Sequence, residues 1–222
     1  MAQIVPSILE DNSAAFHEKL LEVLKIPEVR RVQVDISDGK FTPRKTVAVS
    51  DLDVLNPAYF WEAHLMVENP QEYFLDAKIA GFNSAIFHFE AVSDKKNLAQ
   101  LAAELKKLKL EAGLAINPET KVEDIFEYAP LFDQILLLEV HPGYQGQTMQ
   151  SGAMEKLEKL KKHLKNVKIE IDGGVKLDNG KAFAQAGADL LVVNSALYEA
   201  GEAHDQTPTQ NFEKLSWEVQ NL

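Results

Sequence analysis

The chain contains no cysteine, which removes disulfides, thiolate metal centres and cysteine nucleophiles from consideration. It has no apolar run long enough to span a bilayer, and its first residues carry neither a charged leader nor an apolar signal core. A cytoplasmic protein is the expectation. Basic residues are scarce: 23 Lys and Arg stand against 34 Asp and Glu, for a formal net charge of -11. That argues against nucleic acid or an anionic membrane surface as a partner, and any bound phosphate needs local donors against the overall field. There is no Gly/Ser-rich linker or break in composition, so residues 1–222 are read as one domain. The dinucleotide fingerprint, the P-loop and the HExxH zinc motif are also missing.

What is present alternates. Of the 222 residues, 45% are hydrophobic, enough for a substantial core. Strand-like segments are predicted at Gln3–Ser7, Arg31–Ile36, Tyr59–Met66, Ser84–Phe89, Ala112–Ile116, Gln134–Val140, from Ile169, and at Asp189–Val193. Helical spacing separates them at Asp11–Leu24, over a short stretch at Val47–Leu55, from Asn69–Pro70 to about Ala80, at Lys95–Leu108, and again from Asn117–Pro118. A last helix is predicted over Asn211–Val219. Eight such units in series predict an α/β fold, a closed (β/α)8 TIM barrel.

The stretch Ile169-Glu170-Ile171-Asp172-Gly173-Gly174-Val175 shows where chemistry belongs in such a fold. A buried strand ends in a carboxylate and turns through two glycines into a helix, the place where barrel enzymes hold acids and anions. The ordinary alternative is a plain turn with Asp172 as a cap. In a barrel, the tips of all the strands meet at one mouth and bring together Ser7, Asp35, His64, His88, Asn117, His141, Asp172 and Asn194-Ser195. Carboxylates and an imidazole from different strands suit a divalent cation or proton exchange with a carbon acid. Taken singly, Asp35 and Asp38 also read as turn caps, and His88 and Glu90 as a mutual pair. A phosphate cradle is read from Gly143 and Gly146 in the loop after strand six, Gly173-Gly174 after strand seven, and Asn194-Ser195 after strand eight.

Several motifs recur in a fixed order: Val34-Asp35-Ile36-Ser37-Asp38-Gly39, His64-Leu65-Met66-Val67-Glu68-Asn69-Pro70, His88-Phe89-Glu90-Ala91, Gly113-Leu114-Ala115-Ile116-Asn117-Pro118, Pro142-Gly143-Tyr144-Gln145-Gly146-Gln147 and Asp172-Gly173-Gly174-Val175. Together they resemble the ribulose-phosphate 3-epimerase family, from about Ile4 to Tyr198. The resemblance implies interconversion of D-ribulose 5-phosphate and D-xylulose 5-phosphate through an enediolate, with a divalent metal (zinc, iron, manganese or cobalt). It implies Asp35 and Asp172 as the acid/base pair and also as metal ligands, with His64 a further ligand. It implies Ser7, His64 and Met66 at the substrate, and Gly146, Gly173, Gly174 and Ser195 at its phosphate.

The chain departs from that pattern at the site. Gln33 stands where the family usually has a fourth, histidine ligand. Ser37, Lys40, Arg44, Leu138, Glu139, His141 and Asn194 are also unusual for the family. An amide is a weaker ligand than imidazole, so a loosely bound metal is expected, shifted toward harder ions such as manganese or magnesium; the alternative is that Gln33 merely hydrogen-bonds Asp35 or the substrate and the site works without metal, or not at all. Two other functions fit the same motifs: an epimerase for another ketose phosphate such as a hexulose 6-phosphate, and a sugar-phosphate-binding barrel without catalysis. Homo-oligomerisation is left open.

Overall fold

The computed structural model describes residues 2–143, 146–147, 149–198 and 207–221. Its eight strands are β1 (Gln3–Ile8), β2 (Arg31–Ser37), β3 (Phe60–Met66), β4 (Ser84–His88), β5 (Glu111–Ile116), β6 (Gln134–Leu138), β7 (Lys168–Asp172) and β8 (Leu190–Val193). Every pairing between these strands is parallel, and β8 pairs with β1 to close the barrel. The helices are α1 (Ser13–Leu24), α2 (Phe74–Ala80), α3 (Leu98–Lys107), α4 (Ala153–His163), α5 (Leu177–Gln185), α6 (Ser195–Tyr198) and α7 (Pro208–Gln220). The barrel expected from the sequence is the fold observed.

Strand alternation sorts the residues into two different cores. On β2, Val32, Val34 and Ile36 belong to the main apolar layer between sheet and helices. The opposite face of β2, Arg31, Gln33, Asp35 and Ser37, is also buried and points into the barrel. The apolar part of the interior is small: one cluster of Ile86, Ala115, Leu136, Leu138 and Val140, and another of Val5, Leu190 and Val192. The rest is polar. At the N-terminal end, Arg31 donates to Glu62 at 2.5 Å and to Gln134 at 2.6 Å, and Gln134 donates to Glu170 at 3.1 Å. This network plugs the lower end of the barrel and leaves the C-terminal end for the site.

Three of the expected helices take another form. Val47–Leu55 holds only a 3-10 turn at Val49–Asp51. Pro70 opens a 3-10 turn that runs into α2, which Gly81 stops with φ 96. No α-helix follows Asn117-Pro118. Lys121 is extended (φ -78, ψ 140), and two 3-10 turns follow at Val122–Ile125 and Ala129–Leu131. Pro130 in the second turn lacks the N–H that a continuing helix requires. At the far end, α7 starts earlier than its apolar spacing suggested, because Thr207 and Gln210 form a capping box with Pro208 at the first turn. Asn211 Nδ2 donates to the Leu197 carbonyl at 2.9 Å, tying α7 to α6.

Candidate active site

The register of the barrel assembles the site. Asp35 on β2 lies beside His64 on β3, and Asp172 is the last residue of β7. His64 Nδ1 is 2.9 Å from Asp35 Oδ1 and 3.5 Å from Asp172 Oδ2. Gln33, one inward position below Asp35, donates its Nε2 to Asp35 Oδ1 and to Asp172 Oδ2, both at 2.8 Å. One amide nitrogen therefore bridges two carboxylates that come from strands on different sides of the barrel.

Electrostatics follow from burial and pairing. Burial raises the Asp35 carboxyl above its ordinary value, and the charge of Asp172 adds to this against hydrogen bonds from His64 and Gln33. Burial alone would lower His64, but the carboxylates of Asp172 and Asp35 outweigh it and hold the imidazole up to about 9. A proton shared among these groups is the state that two adjacent acids favour.

Two further titratable side chains lie behind His64. His64 Nε2 meets His88 Nε2 at 2.9 Å, and His88 Nδ1 faces Glu90 Oε2 at 3.4 Å. Glu90 Oε1 accepts from the Asn117 N–H at 2.8 Å and from the Thr120 hydroxyl. Phe41, from the loop after β2, lies against the His88 ring with centroids 4.8 Å apart. That loop is itself fixed: Asp38 accepts from the N–H groups of Lys40, Phe41 and Glu68, so it ties the β2 and β3 loops together. The sequence pairs His88 with Glu90 but does not reveal the contact of His88 with His64. The signal available is parity: His64, two residues before the end of β3, and His88, the last residue of β4, both point inward on neighbouring strands.

Beyond Asp172, a small pocket of about 60 Å³ is lined by Gly146, Gly173, Gly174, Asn194 and Ser195, among others. Gly173 has φ 96, and a Cβ there would lie 2.6 Å from Val140 Cγ2. Gly174 has φ 72, and a Cβ there would lie 2.8 Å from the Met149 nitrogen. Both turns thus exclude side chains and leave backbone facing the pocket. Asn194 turns its Nδ2 to the Ser7 carbonyl at 2.9 Å and to the Ser7 hydroxyl at 3.2 Å, linking the ends of β8 and β1. Met66 is buried at the end of β3.

The structure does not bring every candidate to one place. Gly143, with φ 102, lies against Thr42 and Arg44 rather than lining that pocket. Arg44 is engaged by Asp11 at 2.6 Å. His141 lies beyond the end of β6, exposed, with its ring 3.3 Å from Glu119. Tyr144 and Gln145, part of the loop motif, lie outside the described residues.

Whether the cluster suits a metal ion is a matter of its donors. Asp35, His64 and Asp172 each offer a ligand atom, all within 4.8 Å of one another, so they can hold a divalent cation. The Gln33 Oε1 is buried without a hydrogen-bond partner among the described residues. Rotating that amide would place the orphaned oxygen toward the carboxylates as a further, hard donor. The donors fit a metal.

A closed parallel barrel with two acids and an imidazole at its C-terminal mouth has the architecture of a (β/α)8 enzyme that moves protons. The ribulose-phosphate 3 epimerase family profile matches residues 3–198. The chain belongs to the ribulose-phosphate 3-epimerase family, and it is an isomerase of that class. It is 30% identical over 220 residues to the ribulose-phosphate 3-epimerase of Candida glabrata, covering 91% of this chain and 88% of that protein. It is 31% identical over 205 residues to that of Bacillus subtilis, covering 89% and 93%. The fold is also that of 3-hexulose-6-phosphate synthase from Salmonella typhimurium, with a TM-score of 0.72 at 14% identity over 98% of each chain. Among the described residues, no helix is long and apolar enough to cross a membrane.

Proposed function

We propose that this protein epimerises a ketose phosphate at C3, with D-ribulose 5-phosphate and D-xylulose 5-phosphate as its substrate pair. Asp35 and Asp172 are the acid and base, and the observation that supports them is their convergence from β2 and β7 onto one amide nitrogen, 2.8 Å from each. Epimerisation next to a ketone removes a proton on one face and returns one on the other. Two carboxylates reaching in from different strands serve the two faces, one starting ionised and the other protonated. The raised Asp35 carboxyl favours such an unequal pair.

Asp35, His64 and Asp172, with the Gln33 oxygen as a weaker fourth donor, would hold the divalent metal. When bound, a metal such as zinc, iron, manganese or cobalt supplies Lewis-acid stabilisation to the oxygens of the enediolate. The Gly146, Gly173-Gly174 and Asn194-Ser195 pocket takes the phosphate through backbone N–H groups, close enough to Asp172 to place the sugar chain over the acids. Ser7 and Met66 line the sugar's path at the ends of β1 and β3.

The test is a panel of ketose phosphates assayed with added manganese, with added zinc and after chelation. The reading expects conversion of D-ribulose 5-phosphate well above that of any hexulose 6-phosphate, and loss of rate on chelation that manganese restores. Preference for a hexulose phosphate would move the substrate assignment. Binding of sugar phosphate with no turnover under any metal would support a binding protein instead.

A further inference from the structure

His64 has two ring nitrogens, and only one of them faces the carboxylates. Its Nδ1 lies 2.9 Å from Asp35, a contact that by itself draws the ring proton to Nδ1 and hides the lone pair a cation would need. The opposite side of the ring decides the outcome.

There the hydrogen-bond directions form a chain. Both donors to Glu90 Oε1, the Asn117 N–H and the Thr120 hydroxyl, come from the loop after β5, so the carboxylate is pinned and Oε2 is left to His88. Glu90 Oε2 and His88 Nδ1 are both buried, both without a hydrogen-bond partner among the described residues, and face each other at 3.4 Å. That distance is long for a hydrogen bond, but the carboxylate is the charged group this ring nitrogen faces. A bare nitrogen lone pair against a carboxylate would be repulsive, so Nδ1 carries the proton. A neutral His88 then offers a lone pair at Nε2, which accepts from His64 Nε2 at 2.9 Å.

We propose that Glu90, acting through His88, holds one proton of His64 on Nε2, so that the nitrogen freed when a cation displaces the other proton is Nδ1, which faces Asp35 and Asp172. Glu90 and His88 are positioning residues, since neither reaches the carboxylate pair. The inference rests on the metal-assisted reading above. It assigns a role to the His88-Phe89-Glu90 segment that ligand spacing alone does not reveal.

Glu90→Gln tests it. The amide keeps an oxygen for Asn117 and Thr120 and turns an N–H2 toward His88. His88 then carries its proton on Nε2, donates to His64, and shifts the His64 proton onto Nδ1. Titrating the apo-protein with cobalt(II), followed by visible absorption, should show affinity weakened 10- to 100-fold, the range for lost outer-shell partners. Adding His88→Gln to Glu90→Gln should restore part of the affinity, because a glutamine at 88 can present an acceptor oxygen to His64. A purely structural role would instead add the two losses. Proton NMR of the wild-type cobalt protein supplies a readout that does not depend on the variants folding. The expected signal is an exchangeable, paramagnetically shifted His64 ring N–H at Nε2, with Nδ1 on the metal. Equal cobalt affinity in wild type and Glu90→Gln, or His64 bound through Nε2, would overturn this inference alone. A wild-type protein that binds no cobalt would overturn it together with the metal-assisted reading.

Discussion

Gln33 and Asp172 are joined across the barrel mouth by a 2.8 Å hydrogen bond, although β2 and β7 are not neighbours in the sheet. The same nitrogen serves Asp35 at 2.8 Å, so one amide crosslinks the two acids. A cation at this point must compete with those two hydrogen bonds. Gln33→His exchanges the amide for an imidazole nitrogen, a better ligand for zinc and cobalt. Zinc affinity should rise by at least about tenfold, since even a group one step removed from the ion is worth about that much, and turnover should rise with it. Equilibrium dialysis with zinc and manganese reads the affinity. Unchanged binding would mean that position 33 does not face the ion.

Asp35→Asn and Asp172→Asn should each lower kcat by at least about 10²-fold, the size of a general acid–base contribution. Asp172 ends its strand, half-buried, and Asp35 lies near the end of its own, so neither change opens a cavity in the main apolar layer. Circular dichroism should show both variants folded. Near-normal turnover in either would remove that residue from the acid/base pair.

Gly173→Val tests the phosphate pocket. The new Cβ would press on Val140 and its backbone nitrogen, 3.1 Å away, in a conformation that side chains rarely adopt. KM for the sugar phosphate should rise by tenfold or more, because the turn that faces the pocket must shift. Metal content should fall little, since Asp35 and His64 are untouched and Asp172 is held in β7 ahead of the altered turn. A normal KM in a folded variant would place the phosphate elsewhere.

Glu139 gives a pH-dependent stability. It is buried, neither oxygen has a hydrogen bond among the described residues, and Lys156 Nζ is 3.7 Å away. Burial pushes its carboxyl up to about 7, against the opposing charge of Lys156. Because the folded protein holds this proton more tightly than the unfolded chain, its contribution to stability is intact below about pH 4.5 and is lost as pH rises to about 7. The loss should be on the order of 1–3 kcal/mol. Glu139→Gln should flatten the decline between those values in urea unfolding. An identical pH profile in the variant would show that Glu139 titrates normally.

The barrel was legible because its strands are short apolar runs broken by helical spacing, and β2 or β6 can be read from valine, isoleucine and leucine alone. The same reading misjudged Asn117-Pro118 as a helix start, since proline at a first turn says nothing about Lys121 going extended or Pro130 closing the segment. Asp35, His64 and Asp172 were visible as strand-tip acids and imidazole, because parity and strand ends can be counted. A Gln33–Asp35 hydrogen bond is within reach of such counting, but the second bond from Gln33 to Asp172 is not. It depends on the distance between strands that are far apart in sequence, and a glutamine carries no motif. The His64–His88 contact escaped for a similar reason: each histidine has an ordinary explanation by itself, and only the register of β3 with β4 sets the rings together.

As proposed, Asp35 and Asp172 exchange the C3 proton of the sugar phosphate. Incubating D-ribulose 5-phosphate with the manganese-loaded protein in heavy water, and following the C3 hydrogen by proton NMR, tests it most directly. The expected result is D-xylulose 5-phosphate carrying solvent deuterium at C3, formed at the rate of turnover and lost with Asp172→Asn. Xylulose 5-phosphate that keeps its original C3 hydrogen, or substrate left both unconverted and unlabelled, would contradict it.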